Sequence, residues 1–139
     1  MTFGQAMGAD QAGTGEGSAF KLRAVICDDS SVMRKILCEI LETEHFHVVG
    51  EAADGIEAIH LCKLHKPNLL MLDIAMPGLD GIQTLKEVKK VAADTKVVMV
   101  TSIGAQDMIL EALKHGAENY ITKPYQAEKV ARVINCIRY

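Results

Sequence analysis

The chain has 139 residues, 49% of them hydrophobic, which is enough to bury the core of one domain and too short for several. Its formal charge of −3 argues against a general nucleic-acid binder, and no apolar run reaches membrane-spanning length. The four cysteines, Cys27, Cys38, Cys62 and Cys136, lack C-x-x-C spacing and read as small buried apolar residues in a reducing compartment.

Residues 1–20 carry Gly4, Gly8, Gly13, Gly15 and Gly17 among small polar residues and show neither helical nor strand periodicity. They read as a flexible leader outside the fold, with the domain proper spanning 21–139. The leader has no basic-then-apolar export pattern, so the expected location is the cytoplasm.

Ala24 to Cys27 is a short apolar strand that ends in Asp28-Asp29-Ser30, and Ser30 or Asp29 can cap the helix that follows. Val32, Met33, Ile36, Leu37, Ile40 and Leu41 give that helix an apolar face. His47 to Glu51 is a second strand, and His45-Phe46-His47 reads as a surface loop entering it. Asp54 caps a second helix, which buries Ile56, Ile59 and Leu61 or Cys62 and closes before Pro67.

Leu69 to Leu72 is a continuous apolar run ending in Asp73, as in a strand buried on both faces of a parallel sheet. A third helix after Gly81 buries Ile82, Leu85, Val88 and Ala92, and turns Lys86, Lys89 and Lys90 to solvent. Val97 to Val100 is a fourth strand that ends at Thr101-Ser102. A fourth helix covers about 105–115, with Gly116 suited to a left-handed cap. Glu118 to Ile121 is a fifth strand running into Thr122-Lys123-Pro124, and a fifth helix over about 126–137 buries Val130, Val133, Ile134 and Ile137.

Strand and helix thus alternate five times, the pattern of a doubly wound α/β fold, (βα)5, with helices on both faces of a parallel five-stranded sheet. In such a sheet all strand C-termini share one edge, where ligands bind. Asp28, Asp29, Asp73, Thr101 and Lys123 should therefore converge although they are distant in sequence. Clustered carboxylates repel one another unless a cation neutralises them, and oxygen ligands with room for water suit Mg²⁺. A carboxylate there can act as a nucleophile toward a phosphoryl group, with the metal and an ammonium neutralising the charge that gathers on it. Asp54 and Asp80 read as turn or cap residues, and His45, His47, His60, His65 and His115 have no metal-site spacing.

The motifs Asp28-Asp29, Asp73 within Asp73-Ile74-Ala75-Met76-Pro77-Gly78-Leu79-Asp80-Gly81, Thr101-Ser102 and Lys123-Pro124 resemble those of bacterial response regulator receiver domains. The likeness is to the single-domain chemotaxis, CheY-like type and covers about 22–138. It implies strand order 2-1-3-4-5 and a phosphoacceptor signalling protein, not a conventional enzyme. By this resemblance Asp73 takes the phosphoryl group from a histidine kinase, and Asp28, Asp29, Asp73 and the backbone carbonyl of Ala75 hold Mg²⁺. Lys123 pairs with the phosphoryl oxygens, the Lys123–Pro124 bond is cis, Thr101 is the switch hydroxyl, and Tyr120 is the aromatic that changes rotamer. Ala75 and Ile103 sit where side chains govern water access to the phosphoryl group.

The implied output is the surface of the fourth helix, fifth strand and fifth helix, offered to a protein such as a flagellar motor switch, without nucleic-acid binding or membrane insertion. A phosphorelay or phosphate-sink receiver, or a receiver excised from a larger regulator, are alternatives within the same family. A phosphatase of the haloacid dehalogenase type would want an Asp-x-Asp pair on one strand, whereas the residue two after Asp73 is Ala75. A flavodoxin-like cofactor binder would want a phosphate-cradling loop where Asp28-Asp29 stands.

Overall fold

The computed structural model describes residues 22–76, 78–102 and 106–139. The leader over 1–20 and the expectations touching Pro77, Ile103 and Ala105 lie outside the described residues. The elements run β1 (Leu22–Cys27), α1 (Ser31–Thr43), β2 (Phe46–Ala52), α2 (Gly55–His65), β3 (Leu69–Asp73), α3 (Gly81–Val91), β4 (Lys96–Ser102), α4 (Gln106–Lys114), β5 (Asn119–Lys123) and α5 (Ala127–Asn135). The strands form one parallel sheet in the order β2-β1-β3-β4-β5, as the sequence resemblance implies.

The local reasons for the helices are visible at their ends. Ser30 caps α1 by accepting the Met33 N–H, Asp54 caps α2 through the Glu57 N–H, and Asp80 caps α3 through the Gln83 N–H. Lys66 closes α2 in the left-handed region at φ 46°, just before Pro67, and Gly116 follows α4 at φ 101°. Among the described residues no helix is long and apolar enough to cross a membrane.

Strand alternation sorts the core into two layers. Val25, Cys27, Leu70, Leu72, Val97 and Met99 face α2, α3 and α4, packing with Ala58, Cys62, Leu85, Val88 and Ala112. Ala24, Ile26, Leu69, Met71, Val98, Val100 and Ile121 face the other way, against Leu37 and Leu41 of α1 and Val130 and Ile134 of α5. All five residues of β3 are buried, which is what its unbroken apolar run requires.

Several sequence expectations are corrected. The buried stripe of α1 is only Leu37 and Leu41; Val32 is 66% exposed and Ile36 is also exposed, because the sheet covers a narrow face of the helix. Ile56 on α2 is 71% exposed, and the small residues Ala58 and Cys62 carry the contact with the sheet. Phe46 is not in a surface loop: it opens β2, is buried, and meets the Tyr139 ring edge-on at 5.7 Å. On α5 only Val130 and Ile134 are buried, Val133 is half-buried, and Ile137, half-buried too, lies beyond the helix end at Asn135. Lys89 does not point to solvent but donates to the Thr95 carbonyl at 2.9 Å and faces Glu118 at 4.0 Å. Cys136 is exposed and Cys38 half-buried, so only Cys27 and Cys62 behave as core residues.

Gly81, the first residue of α3, is required by a close approach. A Cβ built there would lie 2.6 Å from both the Asp73 carbonyl oxygen and the Ile74 Cα, which are backbone atoms that cannot swing away. Gly81→Ala should therefore destabilise the protein by about 3 kcal/mol, as overpacking against fixed atoms does, and push Asp73 off its place. Urea unfolding of the metal-free variant checks this, and a midpoint equal to wild type would mean that the α3 start yields freely.

Candidate functional site

Four strands deliver the site to one edge. β1 runs directly into Asp28, whose N–H continues the sheet pattern by bonding the Ala52 carbonyl at 3.1 Å at the end of β2. Asp73 is the last residue of β3, Thr101 lies next to the end of β4, and Lys123 ends β5. In register, Asp73 pairs with Val100 and Thr101 with Thr122.

Carboxylate oxygens of Asp28, Asp29 and Asp73 all come within 4.8 Å of one another. Asp28 and Asp73 are buried and Asp29 is exposed. Each oxygen of the two buried groups has a distinct environment. Asp28 Oδ1 accepts the Ser30 N–H at 2.8 Å, and Asp73 Oδ1 accepts the Ala75 N–H at 3.1 Å. Lys123 Nζ lies 3.0 Å from Asp28 Oδ2 and 3.2 Å from Asp73 Oδ2. It hydrogen-bonds Asp73 and forms a buried ion pair with Asp28, so the one ammonium stands between the two buried carboxylates.

The electrostatics follow from three carboxylates against one ammonium. Burial raises the Asp73 pKa above the usual carboxylate value, the Ala75 N–H and Lys123 pull it back, Asp28 pushes it up again, and the net shift is upward. Burial alone would lower the Lys123 pKa, but its contacts with Asp28 and Asp73 outweigh that and raise it. An all-oxygen set of three carboxylates, two of them buried and facing a single ammonium, fits a hard divalent cation such as Mg²⁺.

The other expected site residues are placed as follows. Ala75 follows the edge with its side chain exposed, and its N–H holds Asp73. Thr101 is buried, and among the described residues its hydroxyl makes only a long 3.3 Å bond to the Ser102 carbonyl, with no hydrogen bond to Asp73. Tyr120 is 39% exposed. The Lys123–Pro124 peptide is cis. Alternation along paired strands puts Thr101 and Tyr120 on the sheet face that carries α4, since Val100 and Ile121 face the opposite layer.

Two residues at the site were not read from the sequence. Arg34 of α1 donates to the Asp28 carbonyl at 2.7 Å and pairs with Glu51 of β2 at 3.2 Å. Tyr125 has a buried hydroxyl without a hydrogen-bond partner among the described residues, and burial, then the charges of Asp28 and Asp73, push its pKa up to about 12. Adjacency to Lys123-Pro124 is a sequence signal for Tyr125; for Arg34 the only signal is its place in the first turn after the acidic pair.

The family model described as the response regulator receiver domain matches residues 24–135. The chain is 41% identical over 113 residues to the chemotaxis protein CheY of Bacillus subtilis, covering 81% of this chain and 94% of that protein. It is 42% identical over 113 residues to CheY of Halobacterium salinarum, covering 81% and 93%. Among solved structures it resembles a chain of the CheX–CheY–BeF3–Mg²⁺ complex from Borrelia burgdorferi, with TM-score 0.79, 30% identity and coverage of 84% of this chain and 90% of that one.

Proposed function

This chain belongs to the response regulator receiver domain family, and on that premise we propose that Asp73 accepts a phosphoryl group from the phosphohistidine of a histidine kinase in a Mg²⁺-dependent reaction. The observation that carries the reading is the convergence of Asp28, Asp29, Asp73 and Lys123 at one strand edge. The protein is a phosphoacceptor of signalling, not a conventional enzyme.

An Asp73 carboxylate oxygen attacks phosphorus in line with the bond to the donor imidazole. The new O–P bond forms as the P–N bond breaks, and the imidazole nitrogen leaves with the electron pair. Asp28, Asp29 and Asp73, with the Ala75 carbonyl, are the groups that would hold the metal. Bound Mg²⁺ would supply positive charge against the phosphoryl oxygens. The Ala75 N–H keeps Asp73 Oδ1 oriented, and Lys123, already beside Asp73 Oδ2, turns its ammonium to the incoming phosphoryl oxygens. Burial of Asp73 limits the water that can compete as nucleophile.

Phosphorylation converts a singly charged carboxylate into a group of about −2 charge with new acceptor oxygens. The Thr101 hydroxyl, which makes a long bond to the Ser102 carbonyl, exchanges that bond for one to the phosphoryl group. Its inward turn vacates space on the α4 face of the sheet, where Tyr120 can follow from its exposed position. The resulting population shift alters the α4-β5-α5 surface. Likeness to CheY proteins supports a cytoplasmic role in chemotaxis, with a flagellar motor switch as the receiving partner.

The test is intact-mass measurement after incubation with acetyl phosphate. The expected result is a single phosphoryl adduct in Mg²⁺ and none in EDTA; failure to form an adduct in Mg²⁺ overturns the reading.

A further inference from the structure

We propose that Arg34 is a positioning residue for the acidic pair: its guanidinium, pinned by Glu51, fixes the peptide between Asp28 and Asp29 and thereby places the Asp29 carboxylate. The inference rests on the function proposed above and adds a residue to its machinery.

The need for such a device lies in Asp29. It is exposed, one residue beyond Asp28 and outside β1, yet its carboxylate must lie with those of Asp28 and Asp73. Asp28 is tied down on every side: its N–H bonds Ala52, its Oδ1 accepts from Ser30, and its Oδ2 faces Lys123. Among the described residues no hydrogen bond holds the Asp29 side chain. Its position is therefore set by the backbone, through the peptide plane that carries the Asp28 carbonyl. That carbonyl has left the sheet, and Arg34 Nη1 answers it at 2.7 Å.

Arg34 is itself well fixed. Its backbone N–H bonds the Ser30 carbonyl in the first turn of α1, and its Nε donates to Glu51 Oε1 at 3.2 Å. One side chain thus ties the helix start, the β1–α1 turn and the end of β2 together. The rigid planar guanidinium holds its donors toward a carbonyl and a carboxylate at fixed angles, which a flexible ammonium on a single nitrogen does less firmly, so a lysine replaces it only in part. The placement of charge is also apt. The guanidinium is committed to the carbonyl and Glu51, which leaves the metal-facing carboxylate oxygens to the metal and Lys123.

Calorimetric Mg²⁺ titration of the purified full chain tests this, using wild type, Arg34→Met, Arg34→Lys, Glu51→Gln and the Arg34→Met/Glu51→Gln double variant. Arg34→Met should bind Mg²⁺ about tenfold more weakly, the loss typical when a partner that orients a metal ligand is removed. Arg34→Lys should fall between, Glu51→Gln should lose less, and the double variant should bind no worse than Arg34→Met. Thermal melting in EDTA is measured alongside. A merely structural role would lower the melting temperature and leave the Mg²⁺ affinity of the folded protein unchanged. Wild-type affinity in Arg34→Met overturns the proposal. If Arg34→Met does not fold, unchanged affinity in both Glu51→Gln and Arg34→Lys overturns it equally. No Mg²⁺ binding by wild type would bring down the phosphoacceptor reading together with this one.

Discussion

Asp73→Asn should take up no phosphoryl group from acetyl phosphate, and in metal-free buffer it should melt at a higher temperature than wild type. The two halves have one cause. Asp73 is buried beside Asp28, and its folded pKa stands above that of an unfolded aspartate. The folded state therefore binds its proton more tightly than the unfolded state does. Protonated Asp73 favours the fold at low pH, and that advantage is lost as pH rises through the folded pKa. At neutral pH the ionised group weakens the metal-free protein. Asparagine keeps an oxygen for the Ala75 N–H and removes the charge. With Mg²⁺ the order should reverse, because wild type gains stability by binding the ion and the variant gains little. Melting curves in EDTA and in Mg²⁺, with intact mass after acetyl phosphate, check both halves. Phosphoryl uptake by the variant would move the acceptor elsewhere. A lower melting temperature in EDTA would mean that the Lys123 contact dominates the charge balance.

Lys123→Met should act in the opposite sense. Methionine keeps most of the apolar stem and removes the ammonium that stands between Asp28 and Asp73. Removing one partner of a buried pair leaves the other uncompensated, so metal-free Lys123→Met should lose roughly 3 kcal/mol. Lys123 has a folded pKa above the ordinary lysine value, so its contribution persists through neutral pH and fades only as pH climbs through that raised value. Phosphoryl uptake should fall by about a hundredfold, as on removal of a charge-stabilising donor. Urea unfolding with and without Mg²⁺, and the rate of adduct formation, are the measurements. Equal stability of variant and wild type in EDTA would show that solvent already compensates both carboxylates.

The sequence carried the fold well because its signals were redundant. The all-apolar run before Asp73 reads as a strand buried on both faces, the alternation of the rest of the chain agrees with it, and Asp54 and Asp80 stand where helix caps belong. The site was legible for the same reason, since topology brings Asp28, Asp73 and Lys123 to one edge whatever their separation along the chain. Errors fell where a helix meets the sheet. Helical periodicity marks a broad apolar face, but the sheet covers only part of it, so Val32, Ile36 and Ile56 stay in water. Phe46 between two histidines looked like a loop, yet it joins the core layer beneath α1 and α5, built from residues up to about ninety positions away. Arg34 was invisible because its two partners, the Asp28 carbonyl and Glu51, become neighbours only after α1 docks beside β2.

The chain has no tryptophan and three tyrosines, all within the last twenty residues: Tyr120, Tyr125 and Tyr139. Each reports a separate event. Tyr139 rests on Phe46 and donates to the Ile134 carbonyl, so it senses the docking of the C-terminus against β2. Tyr125 senses the charge held by Asp28 and Asp73, and Tyr120 stands exposed on the sheet face that carries α4, where the proposed output surface lies. Single Tyr→Phe replacements would therefore resolve the native ultraviolet emission into a folding channel, a site channel and an output channel, with no foreign label on a signalling surface.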